Sequence, residues 1–222
     1  MNTTKVSNQA ELGHTGSTNR LEIFSGIHKY LTNGIRYFKS NVPRNWLKEK
    51  GLSVENTFAV FNSGQIHHHK AQSYKDELHS IGFLTPSHVG TNAGQNPYSV
   101  FGLYSIIFPL KDDRDRIVNF YALGIDRVKR KKKLNSSTGE QGNYLNQEGI
   151  YPAYPQPLTK KLFITETIFD AATLLESKIL DNREAVIALH EGELLPQHKQ
   201  AIENLNYLEG IVFIESINKR DV

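Results

Sequence analysis

The chain has 222 residues, a net charge of +3, 38% hydrophobic residues and a mean hydropathy of −0.46. That is enough for one fair-sized domain or two small ones, with part of the length left to loops and tails. The absence of cysteine excludes disulfides and thiolate zinc sites. No run reaches the ~18 apolar residues of a membrane span, and Met1–Arg20 has no apolar core of the signal-peptide kind. A soluble, cytoplasmic protein is the expectation.

Residues 1–20 are rich in Asn, Thr, Ser and Gly and read as a disordered tail. Leu21, Ile23, Phe24, Ile27, Tyr30 and Leu31 recur at helical spacing and predict one or two helices, broken near Asn33-Gly34. Pro43 opens the next helix, Trp46 and Leu47 supply its buried face, and Gly51 ends it. Ser53 caps a further helix with Val54, Thr57, Phe58 and Phe61 as contacts. The adjacent His67, His68 and His69 point in different directions, so a loop with one buried histidine is expected rather than a metal site. A helix is predicted over 73–81, stopping at Gly82, and Gly90–Pro97 reads as a loop.

Residues 104–110 and 117–125 are strand-like and flank the charged turn Lys111–Arg116, which predicts a β-hairpin. Arg127–Lys133 then packs six cations into seven residues: Arg127, Lys129, Arg130, Lys131, Lys132 and Lys133. Charge alone is equally compatible with a solvated loop and with contacts to phosphates, which release counterions when neutralised. Tyr144-Leu145 and Ile150-Tyr151 suggest short strand pieces before three prolines, Pro152, Pro155 and Pro157.

From Thr159 the pattern changes to strand–helix alternation. The predicted strands are Leu162–Thr165, Ala185–Leu189 and Gly210–Ile214; the predicted helices are Ile168–Lys178 and Pro196–Leu205. This βαβαβ order implies parallel strands with right-handed crossovers. Glu166 follows the first strand and Asp170 lies one helical turn later. The C-terminal edge of a parallel sheet is where ligands bind. Two carboxylates converging there suit a hard divalent cation such as Mg2+. A capping Glu and an exposed Asp around a plain buried strand fit the segment equally well. His190–Glu193 follows the second predicted strand.

The strand–Glu166–x–x–x–Asp170–helix segment resembles the first motif of the Toprim domain, the metal-binding core of bacterial primases and topoisomerases. Thr167 stands where that family usually has Gly. The family's segment after the second strand is a Gly-containing turn, so the resemblance implies that His190–Glu193 is the loop bordering the site. Upstream, residues 46–52, 61–69, 80–84, 105–110 and 149–155 resemble successive segments of the bacterial DNA primase catalytic core, in order and spacing, of a mobile-element type. The resemblance covers roughly residues 35–222. It implies an α+β amino-terminal primase-core subdomain (21–157) followed by a partial α/β Toprim domain with parallel strands (158–222).

The resemblance also implies a role in replication or mobile-element transfer. Single-stranded DNA is the implied partner, and a helicase or other replication protein is a further candidate. It implies Mg2+ or Mn2+ as cofactor and no zinc, with Glu166 as the catalytic residue that anchors or positions a metal and Glu166, Asp170 and Glu215 as the metal set. The Arg127–Lys133 cations would contact nucleic acid. The departures are specific. The hairpin's expected Gly-Arg is Ala122-Leu123, and the expected Asp-x-Asp after the third strand is Glu215-Ser216-Ile217. The Toprim part is expected to be C-terminally incomplete, with little primer synthesis by the chain itself. A non-catalytic, nucleic-acid-binding remnant is the alternative.

Overall fold

A computed structural model of the chain describes residues 15–37, 39, 41–87, 97–125 and 142–215. The first helix, α1 (Thr15–Tyr37), is unbroken. It begins at Thr15, inside the expected tail, of which residues 1–14 lie outside the described residues, and it runs through Asn33-Gly34, correcting the expected break. Once nucleated, a helix gains a bond for each residue added, so a polar first turn is carried by the apolar face that follows. Gly34 is tolerated as a single glycine inside a 23-residue helix, and a Cβ there would sit in ordinary contact with the Phe61 carbonyl oxygen at 3.4 Å.

Two short helices follow, α2 (Val42–Glu49) and α3 (Val54–Thr57), the latter N-capped by Ser53. Phe61 is not a helical contact but lies in strand β1 (Val60–Asn62). Helix α4 (Gln72–Ser80) matches its expected span, and a small hairpin of β2 (Leu84–Pro86) and β3 (Tyr98–Val100) comes next. The predicted hairpin is β4 (Ser105–Lys111) and β5 (Ile117–Gly124), joined at its edge by β6 (Gly142–Tyr144). These form an antiparallel sheet in the order β1-β4-β5-β6. Ile150 and Tyr151 make only single bridges, to Lys111 and Ala188.

The second sheet is parallel, ordered β8-β7-β9: β7 (Lys161–Thr165), β8 (Glu184–Ala188) and β9 (Gly210–Ile214). Helix α5 (Ile168–Ser177) links β7 to β8, and α6 (Pro196–Glu203) links β8 to β9. Every strand and helix expected in this segment is present within a residue or two.

Side-chain alternation along β4 and β5 divides the core. Ile107, Phe120 and Ala122 pack towards Phe24, Ile27 and Leu31 of α1. Ile106, Phe108 and Leu123 face the other way, into a cluster with Ile168, Ala171 and Ala172 of α5 and Val186 and Ala188 of β8. On the far side of the parallel sheet, Leu162, Ile164 and Ile187 pack against Ala201 and Leu205 at α6. The layers therefore run α1, antiparallel sheet, α5, parallel sheet, α6. No helix among the described residues is long and apolar enough to cross a membrane.

Candidate functional site

The three parallel strands end level with one another. Thr165 pairs with Ala188 on one side and Ile214 on the other, so Glu166, Leu189 and Glu215 are the residues that leave the sheet at its C-terminal edge. Glu166 follows the central strand and is half-buried; Glu215, which follows the neighbouring edge strand, is exposed. The turn after Glu166 is built by its threonines. Thr165 Oγ1 donates to the Thr167 carbonyl (2.9 Å). Thr167 is extended (φ −123°) and caps α5 by accepting from the Asp170 N–H (3.2 Å). Its hydroxyl also donates to Asp170 Oδ2 (2.6 Å). Thr167 thus replaces the expected glycine with a residue that caps the helix and fixes one carboxylate oxygen of Asp170.

The loop after β8 closes one wall. Leu189 N–H donates to the Thr165 carbonyl (2.8 Å) and Gly192 N–H to the Glu166 carbonyl (3.0 Å). His190–Glu193 therefore borders the acid edge, as the resemblance implies. Glu191 holds a left-handed backbone (φ 49°) within this loop.

A further wall comes from the antiparallel sheet. Tyr121 of β5 is buried, and its ring lies so close to Gly142 that a Cβ there would meet the hydroxyl at 1.8 Å. Burial, then the nearby Glu191 and Tyr144, push the Tyr121 phenol well above its ordinary range, and Asp170 adds to the effect. Tyr121 is accordingly a neutral hydroxyl at neutral pH, set within the field of two carboxylates of the other sheet. Sequence reasoning missed it, because nothing local marks a strand tyrosine as the residue that meets a helix N-terminus some fifty positions later. Next to Asp170, Phe169 stacks edge-on with Trp46 of α2 (6.4 Å), and Lys50 Nζ lies over both rings at 5.7 and 5.9 Å.

The remaining expected positions fall elsewhere. Leu123, where an arginine was expected, is buried opposite Ile106 in the core. His67 is the one buried histidine of its triplet, while His68 and His69 are exposed. Arg127, Lys129, Arg130, Lys131, Lys132 and Lys133, and likewise Ile217, lie outside the described residues. A large groove, about 980 Å³ between α1 and the β4–β5 turn, is lined by Glu22, His28, Lys111, Asp113 and Arg116 among others and includes neither Glu166 nor Asp170. Its lining is an open surface with cations and anions in balance, whereas the acid edge carries Glu166 and Asp170.

Mg2+ in nucleotide sites is typically held by one or two carboxylates, with substrate phosphates and water completing its octahedron. Glu166 on a strand end and Asp170 one turn into the next helix fit that substrate-bridged mode. Among the described residues, no group of three or more His, Cys, Asp or Glu side chains is arranged to hold an ion, so Glu215 does not complete a three-carboxylate site with them.

Neither a protein-family model nor a curated protein matches the sequence. Solved structures do match the fold. The chain is similar to a DnaG primase catalytic domain bound to ssDNA, with a TM-score of 0.66 at 12% identity, over 91% of this chain and 62% of that one. It is similar to a DNA primase domain from Pseudomonas aeruginosa, with a TM-score of 0.65 at 14% identity, over 87% of this chain and 60% of that one. The zinc-binding and RNA polymerase domains of Aquifex aeolicus primase give a TM-score of 0.65 at 12% identity, over 93% of this chain and 50% of that one. The chain thus has a mixed α/β fold resembling the primase catalytic core and spans no more than 62% of the length of these three structures.

Proposed function

We propose that this chain is a DNA primase-like protein of the Toprim type that acts on single-stranded DNA in the cytoplasm, in replication or in the transfer of a mobile element. The observation that carries this reading is the acid edge: Glu166 ends the central strand of a parallel sheet, and Asp170 is fixed one turn into the helix that follows. The primase-like architecture supports it, as does the similarity to a primase catalytic domain bound to ssDNA. On this reading residues 21–157 are the primase-core subdomain and 158–222 the Toprim segment. Glu166 and Asp170 would hold Mg2+ or Mn2+, which when bound offsets the charge of a nucleotide's phosphates; Glu215 lies after the neighbouring strand, outside that pair. The chain's own groups position: Thr167 orients the Asp170 carboxylate, and Tyr121 presents a neutral hydroxyl beside Asp170 and Glu191. The cations of Arg127–Lys133 would follow the template backbone. A helicase or another replication protein would be the natural partner.

The chain's own primer synthesis is expected to be weak. Positioned cationic groups offset the charge that develops in phosphoryl transfer, and here Leu123 supplies core packing where a guanidinium was expected. The same observation favours a second reading, a non-catalytic core that binds nucleic acid. The two are separated by template-directed ribonucleotide incorporation with Mg2+ and with Mn2+. Weak products that vanish in Glu166→Gln support the catalytic reading, and none with either ion supports the second. Binding is tested separately by the salt dependence of single-stranded DNA affinity. Replacing Lys131, Lys132 and Lys133 with Ala should reduce the log–log slope by about 0.7 for each phosphate that is no longer neutralised. An unchanged slope removes the basic run from the binding surface.

A further inference from the structure

We propose that His198 and His190 form an acid-sensitive latch that holds the loop between β8 and α6 against the Glu166 end of β7. The latch is a feature of the fold and stands apart from any nucleic-acid activity. The loop is pinned at its start and middle by the Leu189 and Gly192 N–H bonds to the carbonyls of Thr165 and Glu166. It is pinned at its end by an exchange with α6. Leu195 N–H donates to His198 Nδ1 (3.0 Å), and His198 N–H donates back to the Leu195 carbonyl (3.0 Å). This resembles a capping box, with an imidazole in the place usually held by Glu or Gln.

A ring nitrogen that accepts a hydrogen bond carries no proton. While the loop is docked, His198 is therefore the neutral tautomer with its hydrogen on Nε2. Adding a proton at Nδ1 would turn the acceptor into a donor facing a donor, and the end of the loop would lose its anchor. The site offers the charge little compensation. His198 is completely buried, and its Nε2 meets no hydrogen-bond partner among the described residues. His190 lies beside it, with ring centroids 6.0 Å apart, and stacks on Tyr144 at 3.7 Å with an interplanar angle of 20°. Its Nε2 is likewise buried without a partner among them. A charge on either ring opposes a charge on the other.

The groups that face the pair are few among the described residues. Tyr144 of β6 stays neutral, because burial first and Glu191 second raise its phenol. The carbonyls of Asn146 and Ala188 face His190 and His198 respectively, and the Glu193 carboxylate acts on His190; these favour protonation. Burial outweighs them. It lowers His190 from its ordinary value, and together with the neighbouring His190 it lowers His198 to about 4. In an undocked loop both rings return towards about 6.5. A group whose docked value is depressed stabilises docking above its ordinary value and loses that contribution as pH falls. For His198 alone, the two values make opening about 20-fold more favourable at pH 5 than at pH 7.

The test is backbone amide exchange of the full chain by NMR between pH 7 and pH 5, corrected for intrinsic exchange rates. Gly192 and Leu195 report on the loop, and Phe108 in β4 reports on global unfolding. Protection at Gly192 and Leu195 should fall by about 20-fold or more, as above, with Phe108 unaffected. His198→Gln keeps an acceptor for the Leu195 N–H but cannot titrate, and in it less than half of that change should remain on a logarithmic scale. Three results would each overturn the proposal: no pH dependence in the wild type, a parallel loss at Phe108, or half or more of the dependence surviving in His198→Gln.

Discussion

The two sheets of this chain use their strands in opposite ways. In the antiparallel sheet, β4 is buried over six consecutive residues from Ser105 to Leu110, and β5 over six from Val118 to Leu123. α1 covers one face and α5 the other. In the parallel sheet, β7 is covered on both faces, but the outer strand β9 alternates between exposed and half-buried residues, with Phe213 67% exposed. The first sheet is a scaffold saturated with apolar contacts. The second presents chemistry at its edge, where the strands stop together and the next helix begins. Apolar burial is concentrated where it stabilises, and carboxylates appear where strand ends leave room for a ligand.

Mutations can break this contrast in order of expected size. Phe108→Ala, at a completely buried site packed edge-on against Tyr151 (5.6 Å), should cost about 3–5 kcal/mol, read from chemical denaturation. A loss under ~1 kcal/mol would mean that the scaffold is not the stability centre.

Tyr151→Phe comes next. The Tyr151 hydroxyl donates to the Thr57 carbonyl (2.9 Å) from the segment that bridges to Ala188 of the parallel sheet. Its removal strands a buried carbonyl and should cost about 1–2 kcal/mol. Because the ring remains, a larger loss would indicate that this one bond couples the two sheets.

Glu176 of α5 ties the layers more gently. Its carboxylate accepts from Ser53 N–H (2.9 Å), Ser53 Oγ (2.8 Å) and Asn56 Nδ2 (3.0 Å) at the start of α3. Burial raises its carboxyl, but the bonds from Ser53 and Asn56, with Lys178 nearby, outweigh burial and hold it below the usual carboxylate range. The folded value is depressed, so this contribution is present above the ordinary Glu value of about 4.3 and is lost as pH falls through the folded value. Glu176→Gln should cost about 0.5–1 kcal/mol at neutral pH and flatten the acid limb of stability below about pH 4. A wild-type and variant difference that stays constant from pH 7 to pH 3 would contradict this account.

The smallest effect is expected at the exposed edge. Phe213→Ala should change stability by no more than about 0.5 kcal/mol. Comparison with Phe108→Ala then measures the contrast between the sheets with a single side-chain type.

The parallel segment was almost entirely legible in the sequence. Each of its elements is long enough, and each run periodic enough, to announce itself locally, and Glu166 and Asp170 could be placed on a strand end and a helix start by counting residues. The small strands β1, β2 and β3 were not legible. Three residues carry no period of their own, and such strands exist only because a partner supplies their hydrogen bonds. Gly34 misleads for a related reason: its local meaning is a break, but the buried Leu31 and Ile35 on either side of it carry α1 through.

The sequence by itself determined the order of the elements, the two acids and their spacing, because those follow from patterns within about ten residues. The tertiary structure alone decided what surrounds them: Tyr121 beside Asp170 and Glu191, Leu123 turned into the core, and the loop anchored through His198. These contacts depend on how two sheets pack across α5. Packing is set by shape and burial between segments far apart in the chain, which local periodicity does not encode.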